Sequence, residues 1–112
     1  MLFIRKYLSK LDYELLLSNY NINYLQILDE GRFQTIYELL LKYNLNYTRD
    51  IILRYIEIFT YPQEVIEHNL INLIQKLGNN YAKIIGNDLR YLNEIIPEKK
   101  KVKQWIEIYS YT

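Results

Sequence analysis

Apolar residues recur at i, i+3, i+4 and i+7 in segment after segment of this chain, and alternating β-type runs are almost absent. The pattern predicts an all-α fold. A first helical region runs from about Leu2 to Ser18, with a candidate break at Ser9, where Ser9 and Asp12 have the spacing of a cap with an acid three positions on. Asn19, Asn21 and Asn23 then cluster, and asparagine both competes for backbone hydrogen bonds and tolerates the left-handed conformation, so a stop is expected there. A short helix from about Tyr24 to Leu28 ends before Gly31. The next, from about Phe33 to Tyr43, carries Ile36, Leu39, Leu40 and Tyr43 on one face and terminates at Asn44 and Asn46.

Thr48 reads as the N-cap of a helix reaching Phe59, with Asp50 in its first turn and Ile52, Tyr55, Ile56 and Phe59 as its core face. Pro62 sits where proline is tolerated, ahead of a helix lined by Ile66, Leu70, Leu73 and Leu77 that ends at Gly78. One or two turns from Tyr81 to Ile85 precede Gly86, and Asn87 is placed to cap a helix from Asp88 to about Ile95. Pro97 closes that helix and opens the last, 97–112, in which Val102, Trp105, Ile106 and Tyr109 repeat the same spacing.

Pieces of the stretch Tyr37 to Tyr55 recur on both sides of it. Tyr13 to Tyr24 matches its first half with one extra residue, Ile71 to Tyr81 keeps its order of apolar, Lys and Asn-Tyr positions, and Leu89-Arg90-Tyr91 echoes Leu53-Arg54-Tyr55. The architecture expected is therefore a compact array of about six or seven short helices, stacked as antiparallel helical hairpins of a degenerate αα repeat. An irregular bundle is the second choice. The segment Leu39 to Leu92 resembles the helical repeats of the mitochondrial transcription termination factor family, though Ile56 stands near the place where that family carries a proline, and Pro62 comes later. That resemblance implies a nucleic-acid-facing solenoid in an organelle, a form built from more repeats than this chain holds. Gly31 to Leu45 resembles the second half of an ankyrin repeat without its Thr-Pro-Leu-His turn.

At 112 residues and 50% apolar content, the chain has the length of one domain, 1–112, with material for a real core. Fourteen basic and 13 acidic residues leave a net charge of +1, so a charge-driven function has to be local. With no cysteine there is neither a disulfide nor a thiolate metal site, and no apolar run reaches the ~20 residues of a membrane span. We read the chain as soluble, intracellular and cytoplasmic. The basic N-terminus, Met1 to Leu11, reads first as a core helix, since Phe3, Tyr7 and Leu11 have helical spacing and Leu8, Leu11 and Leu15 continue the stripe; it would also suit organelle targeting or a membrane-surface helix. Thirteen tyrosines should sit at helix edges or an interface, where the ring is buried and the hydroxyl stays wet.

Little points to catalysis. His68 has Glu64 one turn before it but no third metal ligand in view, and Ser9, Ser18 and Ser110 lie in capping or tail contexts. The carboxylate pairs Asp29-Glu30 and Glu64-Glu67 read as solvated faces, and no Gly-rich phosphate loop is present. The expectation is a non-enzymatic protein without cofactor or metal, of the size of inhibitors, immunity factors and adaptors, that binds another protein through a Tyr/Ile-rich helix face. The alternative is nucleic-acid binding. Arg49 and Lys83 follow two Asn-Tyr turns and Arg54 matches Arg90, with Tyr47, Tyr81, Tyr55 and Tyr91 nearby to stack on bases. Lys99, Lys100, Lys101 and Lys103 add a basic cluster in the first turns of the last helix, against its dipole. Self-association is the third option.

Overall fold

The structure, a computed structural model, describes residues 2–98. Among them every regular element is helical: six α-helices and three short 3-10 helices, with no strand. The chain divides between Gln63 and Glu64 into two compact units.

The first unit opens with a 3-10 helix, Phe3–Tyr7, followed by α1 (Lys10–Asn19), α2 (Ile22–Gln26), α3 (Glu30–Lys42), α4 (Thr48–Arg54) and a second 3-10 helix, Ile56–Thr60. Three of these begin at side-chain caps. Ser9 Oγ accepts from the Asp12 N–H at 3.1 Å, Asn21 Oδ1 from the Asn23 N–H at 2.8 Å, and Asp29 Oδ2 from the Arg32 N–H at 2.7 Å, each satisfying a donor the helix cannot pair internally. At its other end α3 stops in a complete Schellman turn. Asn44 takes φ 64°, its N–H bonds the Leu41 carbonyl at 3.0 Å, and the Leu45 N–H reaches back to Leu40 at 2.9 Å, with Leu40 and Leu45 both buried.

Phe33 on α3 organises the packing of this unit. Its ring stacks on Phe59 of the second 3-10 helix at 4.2 Å between centroids, takes the edge of Phe3 at 5.3 Å, and meets Tyr7 at 4.8 Å. Ile36, Leu39 and Leu40 continue its buried face along α3, while Ile51, Ile52, Ile56 and Ile58 are buried on α4 and the 3-10 helix after it. Polar clamps lie outside that aromatic contact. Arg32 Nη1 donates to the Thr60 carbonyl at 3.0 Å, and Lys6 pairs with Glu30 at 3.0 Å.

In the second unit, α5 (Gln63–Leu77) buries Ile66, Leu70 and Leu73 and ends at Gly78, whose φ of 82° is the left-handed value that glycine takes without a Cβ penalty. Next come α6 (Tyr81–Asn87) and the third 3-10 helix, Leu89–Ile95, which buries Leu89, Leu92 and Ile95. Asn69 Nδ2 donates to the Ile95 carbonyl at 3.2 Å and Lys76 pairs with Glu94 at 2.8 Å, so two groups on α5 hold the end of that 3-10 helix. Among the described residues the buried side chains of the protein are all apolar or tyrosine, and none is a charged or amide group.

Several expectations are revised. The region expected to be one helix from Thr48 to Phe59 breaks at Tyr55, and Thr48 is the first helical residue rather than the cap: its hydroxyl lies 3.5 Å from the Tyr37 hydroxyl, while Tyr47 occupies the cap position without a capping bond. Gly31 lies inside the first turn of α3 rather than after α2, because Asp29 starts that helix earlier than the apolar spacing suggests. Gly86 likewise falls within α6, and Asp88, not Asn87, caps the segment that follows. That segment is 3-10 rather than α. The Asn-Tyr positions also differ from one another: Tyr24 is the third residue of α2, Tyr47 precedes α4, and Tyr81 is the first residue of α6. The last helix expected from Pro97 begins with helical Pro97 and Glu98, and its remainder lies outside the described residues.

Candidate functional site

Helix α1 differs from α3 and α5 in how it is covered. Its sequence, Lys-Leu-Asp-Tyr-Glu-Leu-Leu-Leu-Ser-Asn, has apolar residues all round the helix, and only Leu16 is fully buried. Tyr13 and Leu17 are half-buried beside Leu16, and the Tyr13 hydroxyl accepts from the Leu2 N–H at 3.3 Å. At about 100° per residue, Leu11 and Leu15 fall within roughly 40° of each other and point away from that inward side. Leu11 is 77% exposed and Leu15 45%. They form an outward leucine pair one turn apart, flanked by the exposed Lys10 and Glu14.

The apolar spacing assigns Leu11 and Leu15 to the core, as a continuation of Phe3 and Tyr7. The stripe is interrupted because Ser9 caps a new helix, which resets the phase: Phe3 and Tyr7 pack on Phe33 from the 3-10 helix, and Leu11 is turned outward. The capping Ser9 was itself the signal that could have identified this face. Ile22 and Ile27 are further exposed apolar side chains in this unit, at 50% and 75%.

The cations expected to meet a partner are mostly engaged within their own units. Arg49, at the start of α4, donates Nε to Asp12 Oδ2 at 2.7 Å and Nη2 to Asp12 Oδ1 at 2.8 Å, and its Nη1 reaches Asp50 Oδ1 at 2.8 Å. This fork joins α4 to α1. Its two hydrogen bonds hold the Asp12 carboxyl below its ordinary range, and the same pairing raises Arg49 further above its already high value. In the second unit Arg90 closes a similar fork on Asp88, Nε to Oδ1 at 2.9 Å and Nη2 to Oδ2 at 2.8 Å, while the same carboxylate caps the Arg90 N–H. Arg54 lies 5.9 Å from the centroid of its neighbour Tyr55, and Lys83 is exposed on α6.

The tyrosines follow a single pattern. Tyr55 is buried, so its ring is closed to a stacking base, and the other described tyrosines, Tyr47, Tyr81 and Tyr91 included, are half-buried. Tyr20 and Tyr24 stack at 6.4 Å between centroids, and burial pushes the Tyr20 hydroxyl above its ordinary pKa. Among the described residues the large apolar side chains most open to solvent are therefore leucine, isoleucine and valine, not tyrosine. Arg49, Arg54 and Tyr47 belong to the first unit and Lys83, Arg90 and Tyr81 to the second, and Lys99, Lys100, Lys101 and Lys103 lie outside the described residues.

His68 is exposed on α5, its Nε2 3.3 Å from the Asn72 side-chain nitrogen. Among the described residues no three His, Cys, Asp or Glu side chains come together as metal ligands, and no helix is long and apolar enough to cross a membrane. Comparison with known proteins finds no matching family, no similar curated protein and no similar solved structure, so the likeness to the termination-factor repeats rests on the quoted residues alone.

Proposed function

We propose that this is a small non-enzymatic helical protein that binds another protein, and that the outward face of α1 is where it does so. One observation carries the reading: Leu11 and Leu15, adjacent on one helix, stand 77% and 45% exposed while the opposite side of the same helix is anchored by Leu16. A leucine left wholly in water forgoes roughly 1.5–3 kcal/mol of burial; Leu11 forgoes most of that and Leu15 about half, which a partner's apolar groove recovers. The anchoring matters as much as the exposure. Arg49 clamps α1 through Asp12, so the face is presented in one orientation and little ordering is left for the binding step.

Nucleic-acid binding draws less support. Arg49 and Arg90 would each have to give up a two-point carboxylate contact to take a phosphate, and Tyr55 offers no free ring. The test is capture from a lysate of the native host on immobilised full-length protein, with Leu11→Asp/Leu15→Asp alongside. Both positions are exposed, so the double variant should keep its circular dichroism and melt within about 1 kcal/mol of the parent. Discrete proteins retained by the parent and lost with the variant support the reading. Identical capture by both, together with a parent that does not self-associate through Leu11 and Leu15, ends it.

A further inference from the structure

We infer that the protein seated on the α1 face is a second copy of this chain, packed antiparallel about a two-fold axis; the inference rests on the reading of that face given above. The argument is the order of charges beside the leucines. Lys10 and Glu14 lie one turn apart on the same flank, both exposed, and neither forms an ion pair with any described residue. They are poorly placed to satisfy each other, since Lys before Glu is the weaker order at this spacing, and Lys10 at the first helical position also opposes the helix dipole.

An isologous contact sets each flank of α1 against the same flank of the second copy, with the direction reversed. With the axis level with Asp12, Lys10 comes level with Glu14 of the second copy and Glu14 with the second copy's Lys10. The leucines interleave at the same time, Leu11 about 3 Å along the axis from both Leu11 and Leu15 of the second copy. On the other flank the two Asp12 carboxylates approach, each already bound at two points by its own Arg49. A net charge of +1 adds almost no repulsion between copies. One face of a ten-residue helix is small against the roughly 800 Å² per partner of a standard interface, so the dimer is weak, with a dissociation constant in the upper micromolar range.

Sedimentation velocity on the full chain between roughly 20 µM and 1 mM tests this directly. The parent should pass from monomer towards dimer across that range. Lys10→Glu and Glu14→Lys should each weaken the dimer roughly tenfold, by removing two symmetry-related pairs and setting like charges together. The Lys10→Glu/Glu14→Lys swap should recover most of the loss. Lys10→Glu improves the charge at the helix start, so an unchanged or raised melting temperature shows that a lost dimer is not lost folding. A parent that stays monomeric throughout, single reversals without effect, or a swap as weak as the singles overturns the proposal. A monomeric parent whose lysate capture still depends on Leu11 and Leu15 would overturn the second copy alone and leave the binding face standing.

Discussion

Asn44 holds φ 64°, alone in that region among the described residues other than glycine, and the helix before it depends on that conformation for its last two carbonyl bonds. Asn44→Gly should leave stability unchanged or raise it by a few tenths of a kcal/mol, whereas Asn44→Val should cost about 1–2 kcal/mol, read from urea midpoints. This stop was legible because asparagine is the residue after glycine that tolerates the left-handed state. The caps were legible less evenly. Ser9 acts as its spacing to Asp12 suggests, but Thr48 does not cap: it is already the first helical residue, and its hydroxyl lies 3.5 Å from that of Tyr37, eleven residues back. The role of Asp12 was half legible: its place in a first turn was plain, its partner 37 residues away was not. Its lowered pKa gives a signed prediction. Arg49 contributes stability through Asp12 while that carboxyl is ionised, fully above the ordinary value of 3.8, and the contribution is lost as pH falls below it through the lowered native value. Melting temperature followed from pH 5 to about pH 2 should therefore drop less steeply in Arg49→Met than in the parent.

At the scale of elements, the Phe33–Phe59 stack joins α3 to the second 3-10 helix across 26 residues of sequence. Phe33→Ala removes a ring with no exposure and three aromatic neighbours, and should cost about 3–5 kcal/mol by equilibrium unfolding. Helical content was readable throughout the described residues, but the kind of helix was not. Over five to seven residues, spacings of 3.0 and 3.6 put apolar side chains at the same positions, so Ile56, Ile58 and Phe59 are buried whichever helix forms. What separates the two is where the backbone bonds go. In the second unit that choice falls to Asp88, which caps the 3-10 helix and holds Arg90. Asp88→Ala should lower stability by about 0.5–2 kcal/mol, with a fall in helical signal smaller than loss of α5 would cause.

For the whole molecule, the all-α class followed from periodicity alone, whereas the outward leucines could not be found by extending it. A stripe read across Ser9 assumes one unbroken helix, and the break rotates everything after it. The near balance of charge also bears on the nucleic-acid alternative at this scale. With Arg49 and Arg90 occupied, binding to single- or double-stranded probes should be absent or change little between 50 and 200 mM salt, as fluorescence anisotropy would read directly; a loss of more than about tenfold over that range would restore that alternative.

The buried side chains among the described residues include no charged or amide group, so they are held by apolar burial and shape more than by polar pairing. Apolar burial loses strength on cooling, while hydrogen bonds and ion pairs share that weakness less. The protein should accordingly be most robust near room temperature, soften towards freezing, and be steadied in the cold by sulfate or sucrose, which are excluded from its surface and favour the compact form.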